Sequence, residues 1–241
     1  MISFIIPAYN EQANIGRTLQ ALQQAAQSLG APYEVLVVDD ASTDRTASLA
    51  AAGGARVLAV RKRHIAATRN AGARAAKGEY LFFIDADTWI NAPLLCAAVR
   101  TLQQGAVGGG SRFRFDRPLP WHGKIAERIV PPLYSLAGLA SGSFLFCTRS
   151  AFEAVGGFDE RRYASEEVWL SLALRKQGRF VILRDHVITS GRKLRVYSLR
   201  ETFQLFGYLL RTGPRALRQR DGLEFWYGER RADTTKAEES G

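Results

Sequence analysis

The chain has 241 residues, 46% of them hydrophobic and 23% charged, and its 33 basic against 23 acidic side chains give a net charge of +10. That composition excludes wholesale disorder, a collagen-like repeat and an elongated coiled coil, and the length supports one large domain whose core needs no staples. Cys96 and Cys147 are too few for a disulfide framework and lack metal-ligand spacing; they fit buried, reduced thiols in a reducing cytosol.

The first residues, Met1 to Pro7, carry no basic segment before a short apolar run, and Glu11 follows closely, so no signal peptide is expected. Short β-branched runs at Ile2–Ile6, Glu34–Val38, Arg56–Val60 and Tyr80–Ile84 read as buried strands. Ala-rich segments with helical apolar spacing, Ala13–Leu29, Arg45–Ala52 and Ala66–Ala76, lie between them. Asp44 or Ser42 is placed to cap the second helix, and Gly30 and Gly78 to end two others. This alternation predicts a mostly parallel sheet with helices on both faces, in a single Rossmann-like α/β domain.

After residue 104 the rhythm changes. Ser111–Phe115 reads as a strand, Leu119–Leu139 as mixed helix and loop, Ser141–Cys147 as a strand and Arg149–Val155 as a short helix. Ser165–Gln177 is a clear helix stopped by Gly178, and Val187–Thr189 reads as a strand. Ile129 to Thr148 holds no charged residue, yet Pro131-Pro132, Gly138 and Gly142 interrupt it, so a buried loop and strand is expected rather than a membrane span. From Tyr197 to Leu210 the apolar residues Leu199, Phe203, Phe206 and Leu210 recur at helical spacing, followed by Arg215, Arg218, Arg220 and Trp226-Tyr227. Two readings fit this basic extension, residues 194–231: a helix packed on the domain, which is preferred, or one lying on an anionic bilayer. Residues 232–241 read as a disordered tail.

Function in parallel sheets collects at the carboxyl ends of the strands. The first strand ends in Pro7-Ala8-Tyr9-Asn10-Glu11, the second in Asp39-Asp40-Ala41-Ser42 and the fourth in Asp85-Ala86-Asp87. Asp40 taken alone is as well explained by helix capping. Asp85 and Asp87 would repel each other unless they share a cation or a hydrogen-bonding ligand, and such oxygen donors suit Mg²⁺ or Mn²⁺ completed by phosphates and water. No P-loop or dinucleotide glycine pattern is present, and the glycine triplet at 108–110 lacks a following lysine and helix. Arg61, Lys62, Arg63 and Arg69 are the cations available to a diphosphate.

The strand-end motifs, with Arg69-Asn70-Ala71-Gly72, Gly156-Gly157-Phe158-Asp159-Glu160, Glu166-Glu167-Val168-Trp169-Leu170 and Thr189-Ser190-Gly191-Arg192-Lys193, stand in the order and spacing of family 2 glycosyltransferases with the GT-A fold. The resemblance covers about residues 2–193, and it implies a nucleotide-diphospho-sugar donor, a UDP-sugar being favoured. It places Asp39 on the base, the Pro7, Ala8, Tyr9 and Glu11 loop beside the nucleoside, Asp85 and Ala86 near the ribose, and Arg69 by the phosphates, while Asn70 reads as structural. Asp87, with Asp85, would ligate the metal, and His186 is a candidate third ligand beside the alternative of an ordinary strand-end histidine. Glu167 stands where the family has its catalytic Asp, one methylene longer, with Glu166 the acid before it; Ser165 as N-cap of an acidic first turn explains the pair equally well without the resemblance. Trp121, Tyr134 and Trp169 are candidates to stack on a sugar, as is His122 to meet the acceptor.

The implied reaction is inverting transfer to an acceptor hydroxyl, with residues 1–104 holding the donor and 105–193 the acceptor, a lipid-linked molecule or a polysaccharide. The expected setting is cytoplasmic, with peripheral contact at the inner face of a membrane if the extension lies on lipid. A nucleotidyltransferase should carry a Gly-rich basic loop where Pro7–Glu11 stands, and a nucleic-acid partner is not expected, because no recognition motif accompanies the charge. A catalytically inactive sugar-nucleotide-binding protein is the remaining alternative. Regional charge bears on these: residues 1–110 hold 10 basic and 8 acidic groups, 111–191 hold 12 and 8, and 192–231 hold 10 and 4. The excess therefore lies away from the donor half.

Overall fold

A computed structural model describes residues 1–116, 119–198, 200, 201, 208, 212, 217–223, 227 and 228. Leu199, Phe203, Phe206, Leu210, Arg215, Trp226 and the 232–241 tail lie outside the described residues.

Along the chain run β1 (Ile2–Ala8), α1 (Ile15–Gln27), β2 (Tyr33–Asp40), α2 (Thr46–Ala52), β3 (Arg56–Val60), α3 (Ile65–Ala75) and β4 (Tyr80–Ile84). Then follow β5 (Thr88–Trp89), α4 (Ala92–Gln103), β6 (Gly108–Phe115), α5 (Trp121–Ala137), β7 (Phe144–Thr148), α6 (Arg149–Ala154), α7 (Glu166–Arg175), β8 (Phe180–Thr189) and α8 (Arg192–Val196). One sheet takes the strand order β3-β2-β1-β4-β7-β6-β8-β5. The β1/β2, β1/β4, β2/β3 and β6/β8 pairs are parallel, while β4/β7, β6/β7 and β5/β8 are antiparallel. The mixed, mainly parallel sheet expected from the sequence is therefore present.

Alternating side chains of the central strands feed two cores. Phe4, Ile6, Phe82, Ile84, Phe144 and Phe146 pack on one face with Leu19 and Leu22 of α1 and Leu94 and Leu95 of α4. Ile5, Leu36, Val38, Phe83 and Leu145 pack on the other with Ala66 and Ala73 of α3, Phe152 of α6 and Leu170 and Leu174 of α7. Fully buried strands of this kind read as unbroken apolar runs, which is why they are legible in sequence. The short strand β5, the Asn91-capped helix α4 and the first seven residues of β8 were not anticipated; Asn91 Oδ1 accepts the Leu94 N–H at 2.9 Å.

The glycine triplet has a packing role. A Cβ at Gly109 would collide with the Val181 carbonyl oxygen, and one at Gly110 would lie 2.5 Å from Ala140 Cβ. These residues let β6 press between β7 and β8. Gly78 likewise serves close approach to Ser3 rather than ending a helix, since α3 closes at Ala76 with extended backbone.

The expectation of mixed helix and loop across Leu119–Leu139 is corrected. A continuous helix, α5, passes through Pro131 and Pro132 and ends at Gly138 in the left-handed conformation. Nor is the uncharged stretch beginning at Ile129 uniformly buried, for Ile129, Val130, Leu133 and Leu136 are exposed. Among the described residues, no helix is long and apolar enough to cross a membrane.

Where described, the basic extension packs on the domain. The Tyr163 N–H donates to the Leu217 carbonyl at 2.7 Å, Leu223 is fully buried, and the Tyr227 hydroxyl donates to the Tyr163 carbonyl at 2.7 Å.

Candidate active site

Four loops beside the sheet carry non-glycine residues at positive φ: Asn10 after β1, Ala41 after β2, Arg63 after β3 and Ser165 before α7. Such backbone costs about 1–3 kcal/mol per residue and persists only where the surroundings enforce it, commonly at functional sites. Because Ser165 is left-handed, its side chain makes no cap bond to α7, contrary to the capping expectation. The acids of that first turn therefore gain nothing from a serine cap, and the surroundings must account for both.

A cavity of about 730 Å³ opens where these loops meet, lined among others by Pro7, Ala8, Tyr9, Glu11, Arg69, Asp85, Ala86, Asp87, Glu166 and Glu167. Ten of the twelve residues singled out from sequence as site residues thus edge one space, although β1, β4 and α7 are far apart in the chain. Asp39 and His186 are the two that do not.

Asp39 is buried and does not line the cavity. Its Oδ2 accepts the Ser42 N–H at 3.4 Å, and its Oδ1 is buried with no hydrogen-bond partner. An unpaired buried carboxylate oxygen is costly and demands a donor. Asp40, by contrast, is fully engaged: its carboxylate accepts the N–H groups of Lys62, Arg63 and His64 at 2.6, 2.8 and 3.1 Å and the Thr68 hydroxyl at 2.9 Å. It caps the entry to α3, with His64 Nδ1 accepting from Ala67 N–H. The capping explanation for Asp40 holds, applied to a helix beyond β3.

His186 is corrected as a metal ligand by the register of β8. It pairs with Arg112, while the next pairs, Phe113 with Val187 and Phe115 with Thr189, contribute Phe113, Phe115 and Thr189 to the cavity. Side chains alternate along a strand, so His186 shares the opposite face with Arg112. Burial, Arg114 and Arg112 all lower its pKa, an environment that disfavours a cation.

Arg69 organises the centre. Its guanidinium, almost wholly buried, donates through Nη2 to Asp85 Oδ1 at 2.7 Å and to the Gly142 carbonyl at 3.0 Å, and through Nη1 to Glu166. Burial opposes its charge, but the carboxylates of Asp85, Glu166 and Glu167 more than offset that and hold it protonated. Arg69 thus holds two carboxylates through its Nη atoms while lining the cavity, and its Nε has no partner. Asn70 is structural as expected, donating to the Phe158 carbonyl and to Glu160 at 2.9 Å and accepting the Phe158 N–H at 3.0 Å.

The pairing separates the two glutamates. Glu166 is buried and tied to Arg69, whereas Glu167 borders the cavity with its carboxyl pushed up to about 8 by burial and by Glu166, Arg69 opposing. Asp87 is pushed up to about 7, first by burial and then by Glu11 and Asp85, with Lys193 and Arg192 opposing. Three acids crowded at a cavity wall favour a cation. Among the described residues no group of three His, Cys, Asp or Glu side chains could hold a metal. The donor set nevertheless fits Mg²⁺ or Mn²⁺, which take one or two carboxylates and complete their shell with phosphate and water.

Residues 3–156 match the family described as "Glycosyl transferase family 2". The chain belongs to this family. A relative from Edwardsiella ictaluri, an undecaprenyl-phosphate 4-deoxy-4-formamido-L-arabinose transferase, is 31% identical over 165 residues, covering 64% of this chain and 49% of its own. The chain thus spans about half the length of that curated relative. Among solved structures, the Pyrobaculum calidifontis mannosyltransferase in complex with GDP-Man and Mn²⁺ superposes with TM-score 0.66 at 20% identity, covering 90% of this chain and 66% of that one. Staphylococcus aureus TarS with UDP-GlcNAc gives TM-score 0.61 at 22% identity, covering 79% and 58%. These likenesses establish the GT-A fold.

Sequence reasoning missed several parts of this family 2 site. Arg192 of α8 reaches back to Glu11 at 2.7 Å and fixes the loop after β1, and Lys193 joins the cavity wall. Phe113, Phe115, Ile125, Ile129 and Val130 form an apolar side, with Tyr134 near the glutamates. Of the aromatics singled out, Trp169 stands outside the cavity beneath the Arg162 guanidinium, 3.8 Å from its ring centre. His122 does line the cavity, and both its ring nitrogens are buried without a partner.

Proposed function

We propose that this chain is an inverting glycosyltransferase that moves a sugar from a nucleotide-diphospho-sugar to an acceptor oxygen by single displacement. The observation that carries the reading is that Asp87 and Glu167 open onto one cavity. A cation-seeking carboxylate on the donor half, residues 1–104, and a proton-accepting carboxyl on the acceptor half, residues 105–193, thereby share one space.

Asp39 Oδ1, buried without a partner, is the acceptor we assign to an N–H of the nucleotide base, and the Pro7–Glu11 loop and Ala86 wall the nucleoside. Asp87, assisted by Asp85, would hold Mg²⁺ or Mn²⁺, which when bound supplies positive charge to the departing diphosphate. Glu167 takes the proton of the attacking oxygen, a hydroxyl or the P–OH of a phosphate monoanion; its position at the cavity and its raised pKa suit a general base, which contributes about 10²–10⁴-fold. Glu166 and Arg69 position the turn that carries it. The bound Mn²⁺ and nucleotide sugars of the structural neighbours support the donor class, UDP being our preferred nucleotide. The undecaprenyl-phosphate named for the relative supports a lipid-linked acceptor over a polysaccharide.

Incubating the protein with labelled UDP-sugars, Mn²⁺ and either a polyprenyl phosphate or a soluble glycan tests this. Label moving into the lipid phase is expected. Label in neither acceptor, from a sugar nucleotide that demonstrably binds, would contradict the reading.

A further inference from the structure

The helix α5 is inverted relative to an ordinary surface helix, which turns its apolar stripe to the core and its polar face to water. Its buried residues are Gly123 and Pro131, and two of its polar side chains bond to β6: Glu127 accepts the Phe115 N–H at 2.9 Å, and Ser135 accepts from Arg112 Nε at 3.4 Å. Its large apolar side chains are exposed, Ile125, Ile129 and Val130 toward the cavity and Trp121, Leu133 and Leu136 outside it. Trp121, Ile125, Ile129 and Leu133 follow one another at intervals of four on one ridge, and Leu136 stands beside them. Trp121 is 66% exposed, Ile129 57%, Leu133 58% and Leu136 88%.

Soluble monomers rarely leave so continuous an apolar surface open to water, and where they do it marks a binding surface. Two features identify the occupant. Lys124 and Arg128, both exposed, lie on the ridge next to Trp121 and lead to Leu136, so a basic edge borders the apolar stripe. That pairing of basic edge with Trp and Leu suits an acyl–headgroup boundary carrying anionic lipid. In addition, Ile125, Ile129 and Val130 belong both to this face and to the cavity wall, so the surface runs into the cavity.

We propose that α5 lies in the plane of an anionic bilayer surface, with Trp121, Leu133 and Leu136 at the acyl–headgroup boundary. The cavity then opens onto the membrane. Delivery of a lipid-linked acceptor along Ile125 and Ile129 rests on the function proposed above, whereas the docking does not. This assigns the membrane contact to the acceptor half rather than to the basic extension, whose described part packs on the domain.

Flotation of the full chain with phosphatidylglycerol–phosphatidylcholine vesicles, and with phosphatidylcholine alone, tests the docking. The wild type is expected to float with the anionic vesicles. Leu133→Asp with Leu136→Asp should lower the bound fraction at least about tenfold, as loss of two leucines from an apolar phase requires. Lys124→Glu with Arg128→Glu should lower it several-fold at low salt and little at high salt. None of these four side chains lines the cavity, so a nucleotide-induced rise in melting temperature, measured on the same preparations, should persist and keeps donor binding separate from docking. Quenching of wild-type tryptophan fluorescence by brominated lipid, diminished in Trp121→Phe, supplies a readout independent of the Asp variants' folding. Wild type that stays with neither vesicle, or Asp variants that float equally well, would overturn the proposal. So would a dimer in light scattering that the same substitutions dissolve without any vesicle binding.

Discussion

The guanidinium of Arg69 on α3 closes on the carboxylate of Glu166 on α7, 97 residues later in the chain, and the same guanidinium holds Asp85 at 2.7 Å. One buried cation therefore joins the end of β4 to the turn that carries Glu167. Removing one partner of a buried ion pair leaves the other charge uncompensated and costs about 3–5 kcal/mol. Arg69→Met should lose roughly that in urea denaturation. Arg69→Lys keeps the charge without the fork, so it should fall between. Equal stability in all three proteins would deny Arg69 its organising role.

Glu167→Gln removes the proposed base and leaves its volume. Transfer should fall about 10²–10⁴-fold while the nucleotide dissociation constant stays unchanged. The same variant has a pH signature. The carboxyl rises from an ordinary 4.5 to about 8 on folding. Between those values the folded chain keeps a proton that the unfolded chain releases, so this group's contribution to stability is complete below pH 4.5 and is lost as pH rises toward 8. Thermal unfolding in chelator should show a smaller decline with pH for Glu167→Gln than for wild type, together with activity in the wild type that rises toward pH 8. Parallel melting profiles would assign the shift elsewhere.

Gly72 faces the sheet from α3. A Cβ there would collide with Ile5 Cγ2 and lie 2.8 Å from Val38 Cγ2. Both are buried strand residues that cannot give way, so Gly72→Ala should destabilise by about 1–3 kcal/mol through overpacking, read as a lower urea midpoint with unchanged slope. A neutral effect would mean that α3 sits farther from the sheet.

What the sequence made legible was set by short-range pattern. The runs Ile2–Ile6 and Leu81–Ile84 are apolar because both faces are covered, and the polar residues after them stand at strand ends whatever the details. Contacts between distant segments left no such trace. Nothing near Arg69 distinguishes a phosphate ligand from a partner of Glu166, and nothing near Arg192 points to Glu11. His186 was misplaced because facing depends on register with Arg112, which alternation cannot supply without the neighbouring strand. In α5, Pro131 and Pro132 read as breakers, yet the helix continues, and the outward turn of Leu133 and Leu136 follows from what lies beneath.

Asp87 carries the central claim, because a metal-assisted sugar nucleotide must meet it. The direct measurement is the melting temperature of wild type and of Asp87→Asn with UDP-, GDP- and dTDP-sugars, each with and without Mn²⁺. The account predicts a clear rise for wild type with a UDP-sugar only when Mn²⁺ is present, at least about 4 °C at saturating ligand given the usual size of ligand-linked stabilisation. Asp87→Asn should fold and show no such rise. Wild type unmoved by every nucleotide in the presence of Mn²⁺, or Asp87→Asn stabilised as fully as wild type, would contradict it.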